Sequence, residues 1–366
     1  MKNLPFHIII YCLVAVLTPN LHAREEPPPP IEQDYAYLSV LYQDLHRNPE
    51  LSLQEAQTSQ RLAREWRQLG YQVTQNVGGH GVVAVLENGS GPTLMLRADM
   101  DALPVEEMTG LPYSSVATAV NSLGETVPVM HACGHDVHMT VLVGTARQLL
   151  ARRADWQGTV VLVAQPAEEI GAGARSMLAD DLFSRFPRPD YNLALHVSAE
   201  LPAGHLGYIS GYAMANVDSV DITVRGIGGH GAYPHKTKDP ILMAAEIVLQ
   251  LQTIISREIS PLESAVITVG SIHGGSKHNV ISDQVDMQLT VRSYSDETRD
   301  FLLRRIREIS EGVARTAGLG QDKLPVVTVR DEYTPAVYND PAFTDSIVTH
   351  LQQTLGPARL VAVPPV

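Results

Sequence analysis

Short β-branched and apolar runs alternate with segments of helical spacing through the first half of the chain, and that alternation leaves few folds open. Tyr35–Arg47 and Leu53–Leu69 carry apolar residues at the spacing of an amphipathic helix. Val82–Leu86, Thr93–Ala98, Thr159–Ala164 and Tyr191–Val197 read as short buried strands, the third stopped by Pro166. Asp136–Leu150 reads as a helix with Asp136 placed to cap it. Strands separated by helices predict an α/β fold, with a mostly parallel sheet covered by helices.

The rhythm changes near Asn216. Ser219–Gly226 alternates as a strand, and Asp239-Pro240 then opens a helix, a cap followed by Pro in the first turn. The expected apolar face of that helix is Ile241, Ala245, Val248, Leu251, Ile255 and Ile259. Strands Ala265–Ile272 and Asp286–Ser293 follow, then a helix carrying Leu302, Ile306, Ile309 and Val313, then a strand at Pro325–Arg330. A β-α-β-β-α-β order predicts a compact ferredoxin-like α+β domain inserted in the larger one. The 366 residues suit two domains at roughly 100–200 residues each. The expected division is residues 24–212 and 323–366 for the larger domain and 213–322 for the insertion.

Lys+Arg number 27 against 40 Asp+Glu, a net charge of −13, and no basic block occurs; a nucleic-acid partner is therefore not expected. At the N-terminus, Lys2, the apolar run from Ile8 to Leu17, Pro19 and the small Ala23 read as a secretory signal peptide over residues 1–23. The run is too short to span a bilayer, which takes about 20 apolar residues, so cleavage would leave no stable membrane insertion and a secreted or periplasmic protein. It would also leave one cysteine, Cys133, and no internal disulfide.

The densest chemistry is in "MHACGHDVHM", with His131, Cys133, His135, Asp136 and His138. Cys133 and His135 are two apart, so in an extended loop both face one side, where thiolate and imidazole could hold a divalent metal and Asp136 could orient an imidazole. In "QPAEE", Glu168 and Glu169 follow a buried strand; in extended backbone they point opposite ways, one to a metal and one to a substrate water as general base. A Glu pair alone is commonly a solvated turn, and a lone His after apolar residues a core His. Beside the metal-like cluster, His196 becomes a candidate ligand, and Asp99 and Asp101 candidate ligand or supporting carboxylates. In the insertion, "GIGGHGAYPH" sets His230 and His235 among glycines but lacks the Gly-Lys-Ser/Thr of a phosphate loop. Asn279 and Arg292 could bind a carboxylate.

Together, "RADMDALP", "HACGHD", "QPAEE", "ALH", "GGHGAYPH" and "NVI" resemble the co-catalytic metallopeptidase family of aminoacylases, carboxypeptidase G-type enzymes and hippurate hydrolases, from about Tyr35 to Asp340. The nearest branch is that of N-acyl-amino-acid amidohydrolases, including hippurate hydrolases and auxin-conjugate hydrolases. The resemblance implies a likeness in function: hydrolysis of the amide of an N-acyl amino acid by a homodimer with two divalent ions per subunit. Manganese is favoured and zinc or cobalt are alternatives; the softness of Cys133 on its own points to zinc. By the same resemblance Cys133, His135, Glu169 and His196 are metal ligands, and Glu168 is the general base. His230 stabilises the oxyanion, reaching a partner's site; Asp101 joins the catalytic set, and Asn279 and Arg292 hold the substrate carboxylate. Other branches carry a metal-binding His where this chain has Asp99. The family's fifth ligand, a His beyond a Gly-Ser-Glu-Asp-Phe-like segment, has no match before "LVAVPPV", so a fragment is expected. The rival expectations are a di- or carboxypeptidase, Cys133 as a redox nucleophile with His135 as its base, and a metal-binding protein without catalysis.

Overall fold

The computed structural model describes residues 32–331 and 333–365; the signal-like segment 1–23 lies outside them. Helices α1 (Glu32–Arg47) and α2 (Ala56–Gln68) precede strands β1 (Gln72–Val77), β2 (Gly81–Asn88) and β3 (Thr93–Asp99). Helix α3 (His135–Ala151) leads to β4 (Gly158–Gln165), and β5 (Tyr191–Ala194) follows two short helices. The strands form one sheet in the order β1-β2-β4-β3-β5. It is mixed, not mostly parallel: β4-β3 and β3-β5 run parallel, β1-β2 and β2-β4 antiparallel. The tight Gly78-Gly79-His80 turn accounts for the β1-β2 pair, since a short turn can join only antiparallel neighbours.

Alternate residues of these strands enter two cores. Val82, Ala84, Leu86, Val160, Leu162 and Ala164 pack with Leu41, Leu62, Trp66, Met139 and Val143 of α1–α3. Val83, Val85, Val161 and Val163 pack on the opposite face with Met177 and Leu182. Apolar residues on both faces of β2 and β4 thus bury the sheet between helical layers.

A second sheet contains β6 (Asn216–Arg225), β8 (Ala265–Gly274), β10 (Gln284–Ser293) and β11 (Val326–Val329), in the order β8-β10-β6-β11, all antiparallel. Between them lie β7 (Gly229–His230), α4 (Pro240–Thr253), β9 (Val280–Ile281) and α5 (Asp296–Thr316). Its core joins Val220, Ile222, Met287 and Leu289 to Met243, Ile247 and Leu251 of α4 and Leu302, Ile306 and Val313 of α5. Because β11 pairs with Val220–Thr223 of β6, this unit runs past the boundary expected at residue 322. The buried face of α4 also differs from expectation: Met243, Ala244, Ile247 and Leu251 turn inward, while Ile241 and Ala245 are exposed. Among the described residues no helix is long and apolar enough to cross a membrane.

Candidate metal centre

β4, β3 and β5 run parallel side by side, so the segments after them leave the sheet at one edge, where α/β folds gather ligand-binding groups. Asp99 and Asp101, Glu168 and Glu169, and His196 all emerge there. The fourth element is the start of α3. Gly134 caps that helix in a left-handed conformation (φ +80°), and a Cβ there would lie 2.5 Å from Val197 Cγ2. Only glycine therefore lets Cys133 and His135 close against the His196 segment. Asp136 is not the cap. Its Oδ1 accepts the Val137 N–H and its Oδ2 meets His46 Nδ1 at 2.6 Å, so the imidazole it orients is His46, not a ligand of the cluster.

Glu168 and Glu169 sit in a turn, not in extended backbone as expected. Ala167 takes φ +48° and the Gly171 N–H closes back on Glu168 O at 2.8 Å. Asp101 holds this turn from below: its Oδ1 and Oδ2 accept the Glu168 and Glu169 N–H groups, each at 3.0 Å. Both carboxylates come near His135 Nε2, Glu169 Oε1 at 3.8 Å and Glu168 Oε2 at 3.9 Å, and they differ in exposure, 18% for the Glu169 side chain and 41% for Glu168.

Three donor groups that share His135 converge here among the described residues: Cys133, His135 and His196; His135 with Glu168 and Glu169; and Asp99 with His135 and His138. Cys133 Sγ lies 3.4 Å from His196 Nε2, and His135 Nε2 lies 3.8 Å from Glu169 Oε1. Donors each about 2.1 Å from a tetrahedral ion sit roughly 3.4 Å apart, so the spacing suits shared cations. The imidazoles are oriented for the role. His135 Nδ1 donates to Asp101 O at 2.8 Å and His196 Nδ1 donates to Val197 O at 2.7 Å, which leaves Nε2 of each as a lone-pair donor. His135 Nε2 and Glu169 Oε1 are both buried without a hydrogen-bond partner, an arrangement that a cation between them satisfies.

Charge leads to the same fit. Burial and the neighbouring Glu169, Glu168 and Asp99 push the Cys133 thiol up to about 12. Burial lifts Glu169 above the usual carboxylate range against the pull of His135. Burial alone would lower His135, but its bond to Asp101 and the charge of Asp99 raise it. Surplus negative charge of this kind calls for cations. It also disfavours Cys133 as a redox nucleophile, which needs a thiolate at neutral pH.

Asp99, His138, Ser52 and Glu55 complete the surroundings. Ser52 Oγ donates to Asp101 Oδ2 at 2.7 Å and Glu55 Oε1 accepts the Ala167 N–H at 2.7 Å. Neither residue stood out in the sequence, where Ser-x-x-Glu before a helix is an ordinary capping pattern. Here Glu50 takes the Gln57 and Thr58 N–H groups of α2 instead, releasing Ser52 and Glu55 to the centre.

His230, Asn279 and Arg292 are not brought together. His230 and Asn279 meet where β7 pairs with β9 and the Gly231 N–H donates to Asn279 O at 2.9 Å. Arg292 lies at the other end of β10, opposite Val217 and Val266 and roughly 26 Å along the strand from Gln284 at about 3.3 Å per residue. Among the described residues no hydrogen bond or ion pair links His230 or Asn279 to the metal-like cluster.

Residues 95–365 match the model of peptidase family M20/M25/M40. The chain belongs to that family. Its relatives include the N-acetylcysteine deacetylase of Bacillus subtilis, 36% identical over 309 residues that cover 83% of this chain and 76% of that protein. They also include the hippurate hydrolase of Campylobacter jejuni, 40% identical over 275 residues covering 74% of this chain and 68% of that one. Among solved structures, a Bacillus subtilis protein described as a dinuclear metal-binding M20 peptidase superimposes with a TM-score of 0.75 at 31% identity, covering 92% of this chain and 83% of that one. Membership of the M20/M25/M40 peptidases makes the chain a metal-dependent hydrolase of linear amide C–N bonds.

Proposed function

We propose that the protein hydrolyses the amide of N-acyl amino acids, releasing a carboxylic acid and a free amino acid, with two divalent ions bound by Cys133, His135, Glu169 and His196. The observation that carries this reading is the pair of buried, partnerless donors, His135 Nε2 and Glu169 Oε1, beside the more open Glu168. The deacetylase and hippurate hydrolase named above support the substrate class. When bound, the ions supply Lewis-acid activation of a water and of the amide carbonyl. Glu168, held by its backbone N–H on Asp101, takes the proton of the attacking water and returns it to the leaving nitrogen. His230 Nδ1 accepts the Ala232 N–H at 3.0 Å, so Nε2 carries the proton and can donate to the carbonyl oxygen as it gains charge. Arg292 supplies a guanidinium fork for the substrate carboxylate, and Asn279 a second polar group.

The separation of His230 and Asn279 from Arg292 supports a homodimer in which His230 and Asn279 serve the partner's centre and Arg292 its own. Strand β8 is an open sheet edge with Val266 and Ile272 exposed, and α4 exposes Ile241, Leu242 and Leu249, a surface suited to a second copy. Manganese is the proposed ion by family likeness, with zinc or cobalt as alternatives, and the signal-like segment 1–23 proposes export.

The test is hydrolysis of N-acetyl- and N-benzoyl-amino acids beside dipeptides, in the full chain with and without a chelator. Acyl-amino-acid turnover that chelation stops is expected. Glu168→Gln should lower kcat by on the order of 10²–10⁴ with metal content unchanged. Faster cleavage of dipeptides would move the assignment to a peptidase, and a fully active E168Q would remove Glu168 as the base.

A further inference from the structure

Asp99 stands where other branches of the family are implied to place a metal-binding His, and His138 belongs to the densest motif of the chain without a role in the centre described above. Both are buried, at 1% and 7% exposure. Asp99 and His138 also fall with His135 in a group whose donors could hold an ion. The hydrogen bonds of His138 take it out of that group. His138 Nδ1 meets Asp99 Oδ1 at 2.6 Å, and His138 Nε2 accepts the Val197 N–H at 3.0 Å. An N–H can only donate, so Nε2 is the bare nitrogen and Nδ1 carries the proton to Asp99. Both nitrogens are committed, and His138 has no lone pair left for a metal. Asp99 Oδ1 is taken by His138, while its Oδ2 accepts from Arg97 at 2.8 Å and lies 3.7 Å from His135 Nε2.

The chain of contacts ends on the peptide that follows His196. Val197 gives its N–H to His138 and its carbonyl to His196 Nδ1, and the His138 and His196 rings lie edge to face with centroids 4.5 Å apart. We propose that Asp99 and His138 are positioning residues: Asp99 fixes the tautomer of His138, and His138 fixes the Val197 peptide that aims His196 Nε2 at the metal. The proposal rests on His196 being a ligand. Asp99 thus serves the centre through His138.

Asp99→Asn tests the idea sharply because of Arg97. The guanidinium can only donate, so the new amide must turn its oxygen to Arg97 and its NH₂ to His138. His138 Nδ1 then becomes the acceptor, Nε2 gains the proton, and that proton meets the Val197 N–H head on. The experiment measures the number and affinity of bound Zn²⁺ in wild type, D99N and His138→Ala, alongside imidazole nitrogen NMR of the metal-free proteins. Expected are two ions in wild type. In D99N and H138A one ion should bind roughly 10–100-fold more weakly while the other is unchanged. NMR should show His138 protonated at Nδ1 in wild type and at Nε2 in D99N. Unchanged affinity for both ions in folded D99N and H138A would overturn the proposal. So would an Nε2-protonated His138 in wild type, a reading that needs no variant to fold. Direct coupling of a bound cadmium nucleus to His138 would make it a ligand and overturn the proposal too. Wild type taking up no metal would instead remove the metal-centre reading on which the proposal rests, and the NMR tautomer would separate that failure from this one.

Discussion

Glu55 lies fully buried beneath the turn that carries Glu168 and Glu169, with Oε2 meeting no partner in the structure. Burial raises its carboxyl above the ordinary 4.5, against the backbone N–H groups that favour the charged form. A carboxyl with a raised folded-state pKa contributes stability that is present below its unfolded value and lost as pH rises through the folded one. Glu55→Gln copies the neutral acid and keeps an oxygen for the Ala167 N–H. It should therefore be at least as stable as wild type at neutral pH, with its advantage shrinking towards pH 4.5 in denaturant titrations. Glu55→Ala leaves that N–H buried without an acceptor and should cost about 1–3 kcal/mol. A second residue guards the same turn: a Cβ on Gly173 would lie 1.5 Å from Pro166 O. Gly173→Ala should lose about 1–3 kcal/mol or more and reduce kcat, measured by thermal melting and initial rates. Equal kcat in G173A would mean that the turn tolerates displacement. Single residues of this kind were hard to read in the sequence. Cys133, His135 and the Glu pair announce themselves by rarity and clustering, whereas Ser52 and Glu55 look like a helix start and only the fold shows where they are aimed.

At the level of elements, α1, α3 and the loop after β3 are tied together by one imidazole. His46 Nδ1 meets Asp136 at 2.6 Å and Nε2 meets Glu107 at 3.1 Å, with Tyr42 and Tyr113 around the ring. Burial would lower His46, yet the two carboxylates raise it above its ordinary 6.5. Burial would raise Glu107, but its bonds to Thr109, the Ser115 N–H and His46 hold it at about 2. The His46 contribution is thus complete below pH 6.5 and fades as pH rises through the raised value. The Glu107 contribution is complete above 4.5 and fades as pH falls towards about 2. The melting temperature should be highest between these limits, and His46→Gln should flatten the alkaline fall; an unchanged pH profile in H46Q would assign that fall elsewhere. The helices themselves were legible from spacing, because α5 has one apolar stripe and buries it. Helix α4 departs from the expected face for a physical reason: it is apolar nearly all round, so periodicity alone does not say which stripe meets the sheet. Likewise the two antiparallel pairings of the first sheet depend on turn geometry and on strand order, which local patterns do not encode.

At the level of the whole molecule, the stripe that α4 leaves exposed and the open edge of β8 lie in the unit that also carries His230 and Asn279. A two-fold axis through such a surface would bury the same patch of both copies and carry each His230 towards the other copy's centre. This arrangement differs measurably from one in which every subunit works alone. On the roles proposed above, co-expressed E168Q and His230→Ala subunits would each be defective, one in its base and the other in its oxyanion donor. In a mixed dimer, the centre of the H230A subunit retains Glu168 and receives His230 of the partner subunit. Random pairing would then restore about a quarter of wild-type sites, well above either variant alone. If His230 acted within its own chain, the mixture would show only the average of the two defective proteins. Leu249→Arg, on the exposed stripe and remote from the metal donors in the sequence, should yield monomers by sedimentation and lose turnover together with dimerisation. An L249R monomer that turns over substrate at the wild-type rate would show that a single chain supplies every group the reaction uses.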